Sequence, residues 1–130
     1  MSDGGGFLSG TNNYRVLLDE KEQVIRQYIE GAVDEAEAMD IQTKTGEAIP
    51  LLKNPDQVKL LIFTTTLGKT TPKARRIFYE NVKRPALQKV AVIGTSALVK
   101  AFITFVLIIS NSKKVRLFTA EQEALQWLHE

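Results

Sequence analysis

An α/β fold is what this sequence predicts: a single layer of mixed, mostly parallel five-stranded sheet with helices packed on it. Three observations predict it. Two nearly continuous apolar and β-branched runs, VKLLIFTT at 58–65 and LQKVAVIG at 87–94, have the composition of strands buried on both faces, as in a parallel sheet. Helix-period stretches with capping signals separate and follow these runs, which is the alternation of a layered α/β domain. A short hairpin pattern precedes them and supplies one antiparallel edge strand. The element order is ββαβαβαβα over residues 14–130, in one domain. The order of the strands within the sheet does not follow from these patterns.

Tyr14–Leu18 (YRVLL) is the first expected strand and Val24–Glu30 (VIRQYIE) the second. The DEKE between them has hairpin length without the favoured Asn-Gly or Asp-Gly pair. In the second strand Val24, Arg26, Tyr28 and Glu30 alternate with Ile25, Gln27 and Ile29, which predicts one wet face. Asp34 and Glu37 have the spacing of a capping box, and acids crowd the turn that follows, where the helix dipole favours them. Ala36, Met39, Thr43 and Ile49–Leu52 give this helix a loose inner stripe, while Gly46 and Pro50 are expected to weaken or kink it.

Residues 72–84 (PKARRIFYENVKR) read as a basic amphipathic helix with Ala74, Ile77, Phe78 and Val82 inward, ended by Pro85. A third helix is expected over 95–110, where only Lys100 and Thr104 are polar among the thirteen positions from Ala97 to Ile109. That run is too short to span a bilayer. KVRLF at 114–118 is the last strand. In the last helix, from Thr119 onward, Thr119 and Gln122 form a second capping box, with Ala120, Ala124, Leu125 and Leu128 inside.

With 130 residues, 44% hydrophobic and 25% charged, the chain can bury one core without staples. It has no cysteine, which excludes disulfides and thiolate chemistry and fits a cytoplasmic setting. The opening MSDGGGFLSGTNN lacks a basic n-region and an apolar run, so a secretory signal is not expected, and residues 1–13 read as a disordered tail. Charge is segregated along the chain. Residues 1–66 carry six bases and eleven acids, residues 67–116 eleven bases and the single acid Glu80. Such asymmetry suits an anionic partner, though two basic solvent faces would also produce it.

The C-terminal half, LQKVAVIGTSALVKAFITFVL followed by KKVRLFTAEQEALQWL, resembles the SpoIIAA-like branch of the STAS superfamily (STAS/SEC14-like), most specifically in Val90–Gly94, Val115–Phe118 and Ala124–Leu128. Upstream, the element order and YIEGAVD fit the same pattern. The resemblance implies a small non-enzymatic regulatory or protein-interaction domain. In the anti-sigma-factor antagonists of this superfamily a serine in an Asp-Ser motif follows the third strand, and its phosphorylation expels the partner. Here that place holds Thr64, Thr65 and Thr66, with Thr70 and Thr71 nearer the helix, and the Asp-Ser pair is absent.

The candidate phosphorylation or anion site is therefore FTTTLGKTTPKARR: Thr64, Thr65, Thr66, Thr70 and Thr71, with Lys69, Lys73, Arg75 and Arg76 as the basic complement. Its plain structural reading is a strand end, then Gly68 in the loop, Thr71 as N-cap and Pro72 at the first helical position. A second candidate surface lies on the 95–110 helix, where Leu98, Phe102, Phe105, Val106 and Ile109 suit a dimer contact or an apolar ligand. The alternative function is accordingly a carrier or sensor of a small apolar or lipid-like ligand. Catalytic constellations are poor. The one histidine, His129, sits beside the last residue, and neither a P-loop nor a GxGxxG occurs, so no catalytic residue, metal site or cofactor is expected. Nucleic acid is disfavoured as a partner because the basic segment lacks interleaved stacking aromatics and any reading motif.

Overall fold

A computed structural model describes residues 7–10, 14–30, 33–66, 71–94 and 113–130, and the structural statements below concern these. The elements are β1 (Phe7–Gly10), β2 (Tyr14–Asp19), β3 (Val24–Glu30), α1 (Glu35–Ala48), a 3-10 turn (Ile49–Leu51), β4 (Val58–Thr66), α2 (Pro72–Val82), β5 (Leu87–Ile93), β6 (Val115–Phe118) and α3 (Glu121–Leu128). The expected 95–110 helix lies outside the described residues. All six strands form one sheet in the order β1-β2-β3-β4-β5-β6. The β1–β2 and β2–β3 pairs are antiparallel, and β3–β4, β4–β5 and β5–β6 are parallel. All five expected strands are therefore present, and the mixed, mostly parallel sheet has the predicted class. The sixth strand, β1, comes from the stretch expected as a tail. Its backbone pairs with the outer edge of β2, at Phe7↔Leu17 and Gly10↔Arg15, and so covers peptide groups that an edge strand leaves open.

Alternation along the strands separates two apolar layers. On one face Val16, Leu18, Ile25, Ile29, Leu60, Val90, Val92 and Val115 pack under Ala38, Ile41 and Ala48 of α1 and Ala74 and Val82 of α2. On the other, Val24, Leu61 and Ala91 pack under Ala124 and Leu128 of α3. The sheet is thus sandwiched between α1/α2 and α3.

Several local expectations change. The inner face of α1 is Ala38, Ile41, Thr45 and Ala48, while Met39 is 51% exposed and Ala36 and Thr43 face solvent. Ile41 is the large apolar side chain on that inner face, and its i−3, i+4 and i+7 neighbours set the phase. Gly46 does not end α1, which runs on to Ala48, and Pro50 enters a 3-10 turn at a position where its missing N–H costs nothing. The Asp34–Glu37 capping box is present in both directions, at 2.8 and 3.1 Å. The second expected box is not: α3 starts from Ala120, which is exposed and has no side-chain cap bond. In β3 both faces are buried over most of the strand, because Gln27 reaches Thr45 on α1 and Arg26 is enclosed on the α3 side.

Candidate functional site

The threonine-rich stretch divides where β4 hands over to α2. Thr64, paired with Ile29 of β3, points into the α1/α2 face, is 3% exposed, and has a hydroxyl with no hydrogen-bond partner among the described residues. An idle buried hydroxyl is costly, so it marks a position worth explaining. Thr66 pairs with Glu30 as the last residue of β4, and Thr65 precedes it in the strand. Lys69 and Thr70 lie outside the described residues.

Thr71 is the N-cap of α2 and is exposed to solvent. Its extended backbone (φ −67°, ψ 156°) lets Oγ1 accept from the N–H of Ala74 at 3.1 Å, and Pro72 occupies the first helical position. The Thr71 N–H donates to the Val33 carbonyl at 3.4 Å, which seats the start of α2 against the chain leading into α1. Two helix N-termini therefore lie together at the carboxyl ends of β3 and β4. The predicted basic complement is split. Lys73 stands 3.9 Å from Glu35 in the first turn of α1, with both side chains largely in water. Such a pair is weak and yields readily to a stronger anion. Arg75 is half-buried, and Arg76 lies one turn on, in the groove between α1 and α2. The structure thus brings Thr71 and Lys73 together at the cap and leaves Arg76 away from it. Leu98, Phe102, Phe105, Val106 and Ile109 lie outside the described residues.

The sheet face carrying α3 holds an arrangement that sequence reasoning missed. Arg26, 8% exposed, donates from Nε to Asp19 at 2.9 Å and from Nη2 to Glu121 at 3.1 Å, with the Tyr28 hydroxyl at 3.4 Å from Nη1. Burial disfavours its charge, but the Asp19, Tyr28 and Glu121 contacts outweigh that and raise its pKa above the ordinary arginine value. Beside it runs a register row across five strands: Arg15, Tyr28, Phe63, Ile93 and Phe118. Tyr28 and Phe63 stack at 4.8 Å with rings 10° apart, and the Arg15 guanidinium lies 4.5 Å from the Tyr28 ring. Phe118 meets Trp127 of α3 at 5.6 Å. The signal was present in the aromatic spacing but unreadable without the strand order. His129 is exposed and forms a 2.9 Å contact with Glu22 in the β2–β3 turn, joining the end of α3 to the hairpin.

Comparisons with known proteins accord with this architecture. A family model described as a domain of unknown function, DUF7793, matches residues 35–130. A crystal structure of an uncharacterized protein of the DUF3478 family from Shewanella loihica PV-4, described as having a SpoIIAA-like fold, superposes with a TM-score of 0.70. The two share 16% identity, and the match covers 95% of this chain and 99% of that one. No curated protein matches. The likeness shows that the chain has a SpoIIAA-like, STAS-like fold. Among the described residues no helix is long and apolar enough to cross a membrane.

Proposed function

The chain belongs to the DUF7793 family, and we propose that it serves as a non-enzymatic, cytoplasmic protein-interaction module whose binding is switched by negative charge at the start of α2. The observation that supports this reading is Thr71: an exposed hydroxyl at the N-cap of α2, on the connection from β4, beside Lys73. A phosphate there would meet the positive end of the helix dipole and a lysine held only by the weak Glu35 pair. It would also place about two negative charges beside Glu35 and Glu37, repelling the first turn of α1. The same added charge would therefore stabilise α2 and reshape the joint surface of the two helix starts. Thr70 is the neighbouring acceptor in the same reading.

Affinity capture of the full chain from its native cells, with quantitative mass spectrometry, tests this. Thr71→Asp keeps a capping oxygen and adds charge, whereas Thr71→Ser keeps the cap without charge. A protein recovered with wild type and Thr71→Ser should change at least tenfold with Thr71→Asp. Equal recovery across all three, with no phosphate found on Thr70 or Thr71, overturns the proposal.

A further inference from the structure

The surfaces of α1 and α2 leave an open groove of about 460 Å³ between them, lined by Met39, Gln42, Gly46, Arg76, Ile77 and Arg84, with Glu80 also in the lining, midway in sequence between the two arginines. Its lining combines the apolar Met39 and Ile77 with the cationic Arg76 and Arg84. Met39, in the groove's lining, is 51% exposed. Arg84 lies over Gly46 of α1, close enough that a Cβ there would stand 3.3 Å from its Nη2. A glycine inside a helix costs about 1 kcal/mol relative to alanine, and here it gives the guanidinium room. Neither Arg76 nor Arg84 forms an ion pair among the described residues, whereas Glu80 is engaged, 4.0 Å from Lys83.

We infer that this groove docks an acidic amphipathic helix of a partner protein, with carboxylates two turns apart on either side of an apolar residue. Arg76 to the end of α2 at Val82 spans about 9 Å at helical rise, Arg84 follows two residues past that end, and carboxylates at i and i+7 of a docked helix are about 10 Å apart. Each arginine can hold a carboxylate through two parallel hydrogen bonds. Met39 and Ile77, between them, receive the apolar residue at i+3 or i+4 in the helix-in-groove mode. Glu80 excludes a third carboxylate at the centre and so sets the pattern as well as the charge. A small ligand is disfavoured because such sites enclose most of their ligand, while Met39, Thr43, Arg76 and Glu80 all face solvent.

The inference rests on the interaction-module reading and adds to it a second surface with its own partner class, on residues separate from the Thr71 cap and outside the surface that charge there switches. The test uses the full chain and two labelled 16-residue helical peptides, read by fluorescence anisotropy. One has Glu at i and i+7 with Leu at i+3 and i+4, and the other has Lys in place of each Glu. The acidic peptide should bind at least tenfold more tightly than the basic one, and weaken as salt rises. Arg76→Glu and Arg84→Glu should each reduce that affinity tenfold or more, while Thr71→Asp should leave it within twofold. Arg76 is exposed, so its variant reports binding even if Arg84→Glu disturbs the fold. Equal affinity for both peptides, no binding of the acidic one, or an undiminished Arg76→Glu affinity overturns the inference. Loss of self-association with Arg76→Glu in light scattering, without peptide binding, identifies a second copy as the occupant and overturns it too. A groove that fails beside a Thr71 effect that holds leaves the module reading standing and rejects only this surface.

Discussion

Arg26→Ala removes the buried ionic link between the β2–β3 hairpin and α3, one of several contacts between them, and the structure sets its size. The Arg26 and Asp19 side chains are 10% and 19% exposed, so their 2.9 Å bond is largely shielded from water. Charge-assisted bonds of that kind contribute about 1.5–3 kcal/mol, and losing one leaves Asp19 without its cationic partner. The Glu121 side chain is 46% exposed, and solvent screening holds its 3.1 Å contact to about 0–1 kcal/mol. Arg26→Ala should therefore destabilise the chain by about 2–4 kcal/mol, and Glu121→Ala by no more than about 1 kcal/mol. Arg26→Lys should recover only part of the loss, because a lysine cannot reach two carboxylates in a planar fork. Urea unfolding monitored by Trp127 fluorescence and far-UV circular dichroism measures all three, with equal m-values required for comparison. Arg26→Ala costing less than about 1 kcal/mol, or no more than Glu121→Ala, refutes the claim that this buried guanidinium joins the two units.

Three further substitutions probe the rest of the account by the same unfolding measurement. Thr64→Val replaces an unpartnered buried hydroxyl with an isosteric methyl and should stabilise the chain by about 1 kcal/mol; a loss of stability would show that the hydroxyl is engaged. Gly46→Ala should gain up to about 1 kcal/mol through helix propensity, since the Arg84 guanidinium is the flexible end of a side chain and can shift by tenths of an ångström. Leu128→Ala, at a fully buried position over Leu61 and Ala91, should cost about 2–5 kcal/mol, whereas a cost below about 1 kcal/mol would mean that α3 is not anchored there.

Much of the fold was legible because strong signals are local. The β4 and β5 runs are apolar enough to identify themselves, and Asp34, Thr71 and Pro72 occupy the capping positions their chemistry suits. What escaped depended on distant partners. The phase of α1 was misread because Met39 is as apolar as Ile41, and only the assembled core, with Ile41 inside it and Thr45 bonded to Gln27, shows which faces inward. Arg26 looked like a residue of a wet strand face, since Asp19 and Glu121 meet it only once the sheet and α3 are assembled; Glu121 is 95 residues away. Phe7–Gly10 was unreadable as a strand because four residues beside a glycine run carry little propensity, and pairing with β2 supplies the rest. At the candidate site the sequence located Thr71 and its cap, but treated Lys73 and Arg76 as one cluster. One turn of helix sends them to different places.

The central claim is that α2 carries a charge-switched binding surface. Lysine cross-linking in native cells, followed by mass spectrometry, tests it directly, because the exposed Lys73 and Lys83 lie at the two ends of that helix. The account predicts cross-links from one or both lysines to a different protein in wild type, changed at least tenfold by Thr71→Asp and unchanged by Thr71→Ser. Cross-links to other proteins that avoid both lysines, or that respond identically to the two substitutions, would contradict it.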